Sequence, residues 1–191
     1  PTAGFEALHF IRKANIQPGK KVLIVGAGGS IGTFSVQLAR HFGAEVTGVD
    51  STEKLDMLRS IGTNHVIDYT KGDYTNTGET YDLIIDVVGR SSVVRRLKLL
   101  KPNGYYFLAY AGLAQILLSL WTTMTRQKKV KIESSSQKKE DLIFLKELIE
   151  AGKIKSIIDK RYSLEQIPEA HSYAESGSKK GNLVITVGQG E

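Results

Sequence analysis

A glycine cluster set between an apolar β-branched run and a helical pattern constrains this chain more than any other feature. Val22-Leu23-Ile24-Val25 enters Gly26, Gly28, Gly29 and Gly32, and the pattern leaving the cluster carries Ile31, Phe34, Val36, Leu38 and Ala39. A second apolar stretch, 45–49, follows and ends on Asp50. Strand, tight turn, helix and strand in that order predict a βαβ unit with a right-handed crossover.

Each part suits an anion held at a helix start. Glycine lets the backbone take positive φ and lets a ligand approach the main chain closely. The first N–H groups of the helix have no intrahelical acceptor, and the positive end of the helix dipole stands behind them. Asp50, at the tip of the second strand, can accept both hydroxyls of an adenosine ribose. These features predict a dinucleotide site. The spacing departs from G-x-G-x-x-G, because Ile31 occupies the slot expected for the third glycine; G-x-x-G-x-x-G describes Gly26, Gly29 and Gly32 equally well.

A chain of 191 residues, 41% hydrophobic, can bury one sizeable core. It has no cysteine, which excludes disulfides and thiolate metal ligands and suits a reducing compartment. No basic leader with an apolar core opens it and no apolar run reaches membrane-spanning length. A soluble cytoplasmic protein without a membrane partner is expected. The net charge of +6 comes from scattered pairs such as Lys20-Lys21, Lys128-Lys129 and Lys179-Lys180, without interleaved aromatics. Solvated surface is therefore expected, and nucleic acid is not. His9, His41, His65 and His171 are too widely spaced to suggest a zinc site.

Residues 2–16 read as a helix with Phe5, Leu8, Ile11 and Ile16 on one stripe, ended by Gln17-Pro18-Gly19. After Asp50, Ser51 or Thr52 is placed to cap a helix containing Leu55, Leu58 and Ile61. Strands follow at 65–69 and at 81–89, the latter apolar apart from Asp82 and Asp86, as in a parallel sheet covered on both faces. A helix over 91–100, a turn at Lys101-Pro102-Asn103-Gly104, a strand over 105–110, a helix over 113–124 and a sixth strand over 128–134 come next. A helix with Leu142, Leu145, Leu148 and Ile149 ends at Gly152. This alternation predicts an α/β fold, a doubly wound parallel six-stranded sheet over 1–162. Residues 163–191 read as a helix and a strand with no evident place in it.

The segments PTAGFEALHFI, QPGKKVLIVGAGGSIGTFSVQLAR, GAEVTGV, GTNHVIDY, YDLIIDVVG, LKPNGYY and EAHSYAESGSKKGNLVITV resemble the medium-chain dehydrogenases/reductases, in their zinc-independent quinone-oxidoreductase-like branch. The resemblance covers nearly all of the chain in order. In that branch the turn often reads A-x-x-G-G-V-G, which aligns with Gly26 to Gly32 without a gap. The resemblance implies a Rossmann domain for NAD(P)(H), cut from a longer protein whose catalytic domain precedes it. The 163–191 tail would then return to that absent domain.

Carried over by position, Gly26, Gly28, Gly29 and Gly32 would hold the pyrophosphate with Ser30 and Ile31 as N–H donors. Asp50 would bind the adenosine ribose with Lys54 beside it. Val88 and Gly89 would offer main-chain contacts to the nicotinamide ribose, Tyr110 and Ala111 would flank the nicotinamide, and Thr2 would approach it from the domain junction. Tyr69, near the adenine edge, reads as packing. Asp50 favours NAD(H), with NADP(H) possible through Lys54 or Arg40. The implied reaction is hydride transfer to a carbonyl, quinone or enone, with no catalytic residue assignable and with the fragment alone inactive. Leu117, Leu118 and Trp121 read first as core and second as an apolar substrate wall. The 128–134 strand, between Lys128 and Ser134, is expected to pair with its twofold mate in a homodimer.

Other readings stay open on the residues alone. An AdoMet-dependent methyltransferase shares the glycine turn and the acid after strand two, but its usual acid near the glycine strand is missing from Val22 to Val25. A short-chain dehydrogenase would need Tyr-x-x-x-Lys, and none of the eight tyrosines has it. A non-catalytic dinucleotide-sensing or RNA-binding module is the third.

Overall fold

The strands Lys21–Val25 and Tyr81–Asp86 carry the runs 22–25 and 83–85, which have no polar position on either face, so both belong inside a sheet covered on two sides. In the computed structural model, which describes residues 2–89, 93–109, 129–132, 135 and 137–188, they are the central strands β1 and β4. They pair parallel, with Val22 opposite Leu83 and Val25 opposite Asp86. β2 (Glu45–Asp50) and β3 (His65–Asp68) extend the sheet on one side, and β5 (Leu100–Leu108) and β6 (Lys129–Lys131) on the other. The order is β3-β2-β1-β4-β5-β6, parallel throughout. Strand order reverses between β1 and β4, which opens a crevice at their carboxyl ends.

Alternation along β1 divides the core. Val22 and Ile24 face a cluster with Leu8 and Phe10 of α1 (Thr2–Lys13), Val36 and Leu38 of α2 (Ser30–His41), Leu58 of α3 (Leu55–Ser60) and Leu145 of α5 (Lys139–Glu150). Leu23 and Val25 face the opposite cluster, with Val93 and Leu97 of α4 (Val93–Leu97), Tyr106 and Leu108. The sheet is thus doubly wound, as its strand pattern predicts.

Several boundaries differ from the sequence reading. α1 stops at Lys13, because Asn15 takes φ +48° and the chain has already turned before Pro18. Neither Ser51 nor Thr52 caps α3; a 3-10 turn, Thr52–Lys54, precedes it and the Thr52 hydroxyl bonds Asp68 instead. The supposed Lys101–Gly104 turn lies inside β5, where Asn103 at φ +63° forms an irregularity between the pairs Tyr81–Leu100 and Leu83–Tyr105. The turn residues act there as a bulge within a strand. The expected 113–124 helix lies outside the described residues.

The last strand finds a partner of its own. β7 (Ile158–Ser163), a strand absent from the sequence reading, pairs parallel with β8 (Asn182–Thr186) in a separate two-stranded sheet. α6 (Ile167–Glu175) connects them, entered through a capping box between Ser163 and Gln166 and with Pro168 in its first turn. Among the described residues no helix is long and apolar enough to cross a membrane.

Candidate functional site

The glycines after β1 serve two different needs. Gly26 has φ +79°, and a Cβ on it would come within 2.7 Å of the Val87 and Val88 side chains. Its N–H and that of Ala27 both bond Val49 O, at 2.9 and 3.2 Å, locking the turn to β2. A Cβ on Gly28 would meet Lys54 Cδ at 2.5 Å and Asp50 Oδ2 at 3.0 Å, and one on Gly32 would overlap the carbonyl oxygens of Gly26 and Ala27. These three glycines are required by the packing of the chain itself. Gly29 is not, since among the described residues its Cβ would find only Gly26 O, at an ordinary 3.5 Å. Its missing side chain keeps open a space, at the N-cap of α2, that no atom of the described residues fills. Helix geometry leaves the N–H groups of Ser30 and Ile31 there without intrahelical acceptors.

Asp50 closes this turn from the side. It is only 5% exposed. Its Oδ2 accepts from Gly28 N at 2.7 Å, its Oδ1 accepts from Ser51 N at 2.9 Å, and Lys54 Nζ stands 3.3 Å from Oδ1. Lys54 is 7% exposed and also donates to Gly177 O at 2.8 Å. At the neighbouring tip, Asp68 takes hydroxyl hydrogen bonds from Thr52 and Thr70, and these hold its carboxyl below the usual range. Tyr69 follows. It is 55% exposed and lines the cavity described below, so its expected role as packing is corrected.

A strap from the tail crosses the turn. Gly181 N donates to Gly28 O at 2.7 Å, Ser30 Oγ donates to Gly181 O at 3.0 Å, and Lys179 Nζ donates to Ser30 Oγ at 2.8 Å. Burial, and secondarily the charge of Lys54, lower the Lys179 pKa. In the sequence this strap showed only as a glycine- and lysine-rich turn.

On the other wall, Asp86 ends β4 fully buried. Its Oδ1 accepts from Val88 N at 3.1 Å and Gly89 N at 3.0 Å, while Oδ2 accepts from Arg96 Nη1 at 2.5 Å and Tyr106 Oη at 2.7 Å. Burial, then the Asp86 charge, push the Tyr106 hydroxyl pKa far up. In the sequence this cluster shows only as Asp86 within the run YDLIIDVVG.

Between these walls lies a cavity of about 650 Å³, within the usual range for small-molecule sites. Of the expected site residues, Gly26, Gly29, Asp50, Lys54 and Val88 line it. Gly28 lies behind the Asp50 carboxylate, Ser30, Ile31 and Gly32 form the first turn of α2, and Gly89 adjoins Val88 at φ +65°. Tyr74, Arg95 and Arg96 also line it and carried no signal in the sequence. Thr2 is exposed at the start of α1 and does not line it. Tyr110 and Ala111 lie outside the described residues. The open space at Gly29, the helix N-terminus behind it and the Asp50 acceptor together fit a dinucleotide.

Known proteins share this chain's sequence pattern and fold. A family model described as zinc-binding dehydrogenase matches residues 61–185. The chain lacks cysteine, and among the described residues no three His, Asp or Glu side chains gather to hold a metal ion. The chain is 31% identical to a 2-methylene-furan-3-one reductase of Solanum lycopersicum over 97% of its own length and 45% of that protein's. It is 30% identical to an NAD-dependent alcohol dehydrogenase of Sulfolobus acidocaldarius over 97% of its length and 56% of that protein's. The structure of a quinone oxidoreductase from Coxiella burnetii superposes with a TM-score of 0.88 at 26% identity, covering 98% of this chain and 59% of that one. The chain thus spans about half the length of the curated relatives it matches. It belongs to the zinc-binding dehydrogenase family of the medium-chain dehydrogenase/reductase superfamily.

Proposed function

We propose that this chain is the cofactor-holding portion of an oxidoreductase that moves hydride between a nicotinamide and a carbonyl, quinone or enone. The observation that carries this reading is the unfilled space at Gly29, bounded by the N-terminus of α2 and by Asp50. The bound nicotinamide would supply the hydride chemistry, and the protein supplies orientation and electrostatics. Backbone N–H groups of Ser30 and Ile31 would take the pyrophosphate. Asp50 would exchange its hydrogen bond from Gly28 for ribose hydroxyls or share it with them. The N–H groups of Val88 and Gly89 are already committed to Asp86, so the main-chain contacts left for the nicotinamide ribose are carbonyls.

NAD(H) is the cofactor we propose. A 2′-phosphate about 4 Å from the Asp50 carboxylate would cost about 4 kcal/mol at an effective dielectric of 20, which Lys54 offsets in part. The substrate-side wall and the acid–base groups are proposed to come from the part of the longer relatives that this chain does not span. The α6–β8 segment would pack on that part, and edge strand β6 would pair with its twofold mate in a dimer. The lack of cysteine suits the cytoplasm, where we place the protein. Calorimetric titration with NADH and NADPH, repeated on Gly29→Ala, tests the reading: saturable binding in the parent chain, weakened at least tenfold by the added methyl, supports it. Equal binding by both proteins would place the cofactor elsewhere.

A further inference from the structure

Asp86, Arg96 and Tyr106 form a fully buried polar cluster in the midst of an apolar core. A buried ion pair is weak evidence for stability, since apolar residues of similar volume often do as well. The geometry of this one points to a different use. An ionised carboxylate has about four acceptor positions, and here four donors meet Asp86: two on Oδ2 from Arg96 and Tyr106, two on Oδ1 from the consecutive N–H groups of Val88 and Gly89. Arg96, which also borders the cavity, and Tyr106 come from α4 and β5, so two packed elements orient the carboxylate, and the carboxylate in turn shapes the Val88–Gly89 turn.

That turn is one wall of the crevice at the strand-order reversal. The Val87 and Val88 side chains sit directly over Gly26, where an added Cβ would reach both. Val88 is nonetheless 42% exposed and faces the cavity, and Gly89 is held at φ +65°. Fixing the two N–H groups therefore fixes how far this wall stands from the glycine turn, and which backbone atoms it leaves facing a ligand.

We propose that Asp86, held in place by Arg96 and Tyr106, is a positioning residue that presents the Val88–Gly89 turn to the nicotinamide-side ribose of the cofactor. The proposal rests on the NAD(P)(H) reading above. The opposite, adenosine end of the cofactor depends on Asp50 and the glycine turn, to which, among the described residues, the Asp86 carboxylate makes no hydrogen bond. The two ends should accordingly respond differently to changes at Asp86.

The test uses the whole chain and two ligands, NADH and ADP, the second lacking the nicotinamide riboside. Asparagine has one carbonyl oxygen, so at position 86 it can serve the two N–H groups or Arg96 and Tyr106, but not both pairs. Asp86→Asn is expected to weaken NADH at least tenfold, and Tyr106→Phe about threefold, each leaving ADP within twofold of the parent. Amide exchange at Val88 and Gly89 should accelerate in both variants. If Asp86→Asn does not fold, Tyr106→Phe with its exchange data decides alone. Equal loss of NADH and ADP would mark the cluster as merely structural, and unchanged NADH binding would remove its link to the site; either result overturns the proposal. A parent chain that binds neither ligand would defeat the cofactor reading itself and this inference with it.

Discussion

The Asp50 carboxylate accepts a hydrogen bond from Gly28 N–H at 2.7 Å, so the tip of β2 is fastened to the turn that opens α2. The same carboxylate faces the Lys54 ammonium at 3.3 Å in a nearly dry setting. One residue thus braces the turn and supplies the negative charge in the proposed ribose site. Asp50→Asn should lower stability by about 1–3 kcal/mol through the weakened bond and the less fully paired Lys54. It should also move the ratio of NADPH to NADH affinity at least tenfold toward NADPH. Calorimetry on both cofactors checks this, and an unchanged ratio would take Asp50 out of cofactor discrimination.

Gly29 and Gly32 should behave oppositely. Gly32→Ala forces a methyl into the backbone oxygens of Gly26 and Ala27, which cannot yield cheaply, and should destabilise the fold by about 1–3 kcal/mol or more. Gly29→Ala meets no such obstacle and, as a change of N-cap residue, should stay within about 1 kcal/mol of the parent. Denaturant melts of both variants separate a glycine needed for folding from one needed for a ligand.

Gly181 sits at φ +70°, and a Cβ there would strike Ile157 O, the acceptor of Asn182 N. Gly181→Ala should displace the strap from Gly28 and loosen the β7–β8 sheet at its start. The expected signature is faster amide exchange at Gly181 and Asn182, with a cost of roughly 1 kcal/mol or more. Exchange in the centre of β1 should stay as in the parent; acceleration there as well would mean that the strap supports the main sheet.

How much of this was legible in the residues varies with the range of the forces involved. The β1–α2–β2 unit and the sheet around it follow from local pattern, because both faces of β1 and of the middle of β4 are apolar and the glycine turn has few alternatives. Asp50 was legible for the same reason, since it ends a strand whose neighbour ends in glycines. β7 was not, because Ile158–Ser163 is a mostly exposed strand whose pairing with β8 spans the intervening helix. The bulge in β5 was hidden by turn chemistry: Pro102, Asn103 and Gly104 do bend the chain, but the ladder with β4 resumes around them. The Asp86 cluster joins residues from three elements, and no spacing rule brings Asp86, Arg96 and Tyr106 together.

Asp82, near the start of β4, offers a pH test remote from the cavity. Burial opposes its ionisation, but Lys101, the Lys21 N–H and Lys20 outweigh burial and hold its carboxyl below the usual carboxylate value. A depressed folded-state pKa means that its stabilisation is present above the unfolded value of about 4 and lost as pH falls through the folded one. Asp82→Asn should therefore lower stability by about 1 kcal/mol at neutral pH and flatten the decline below about pH 4. Melts across pH 2–7 check the sign, and an unaltered acid limb would mean that these three contacts do not tie β1, β4 and β5 together.

The most direct test of the account is a titration of the folded chain with NADH, followed by backbone amide spectra. Saturation below about 1 mM, with the largest shifts at Gly26, Gly29, Ser30 and Ile31 and at Asp50, is the predicted result. Amide spectra and a melting temperature that stay unchanged at saturating NADH and NADPH alike would contradict it.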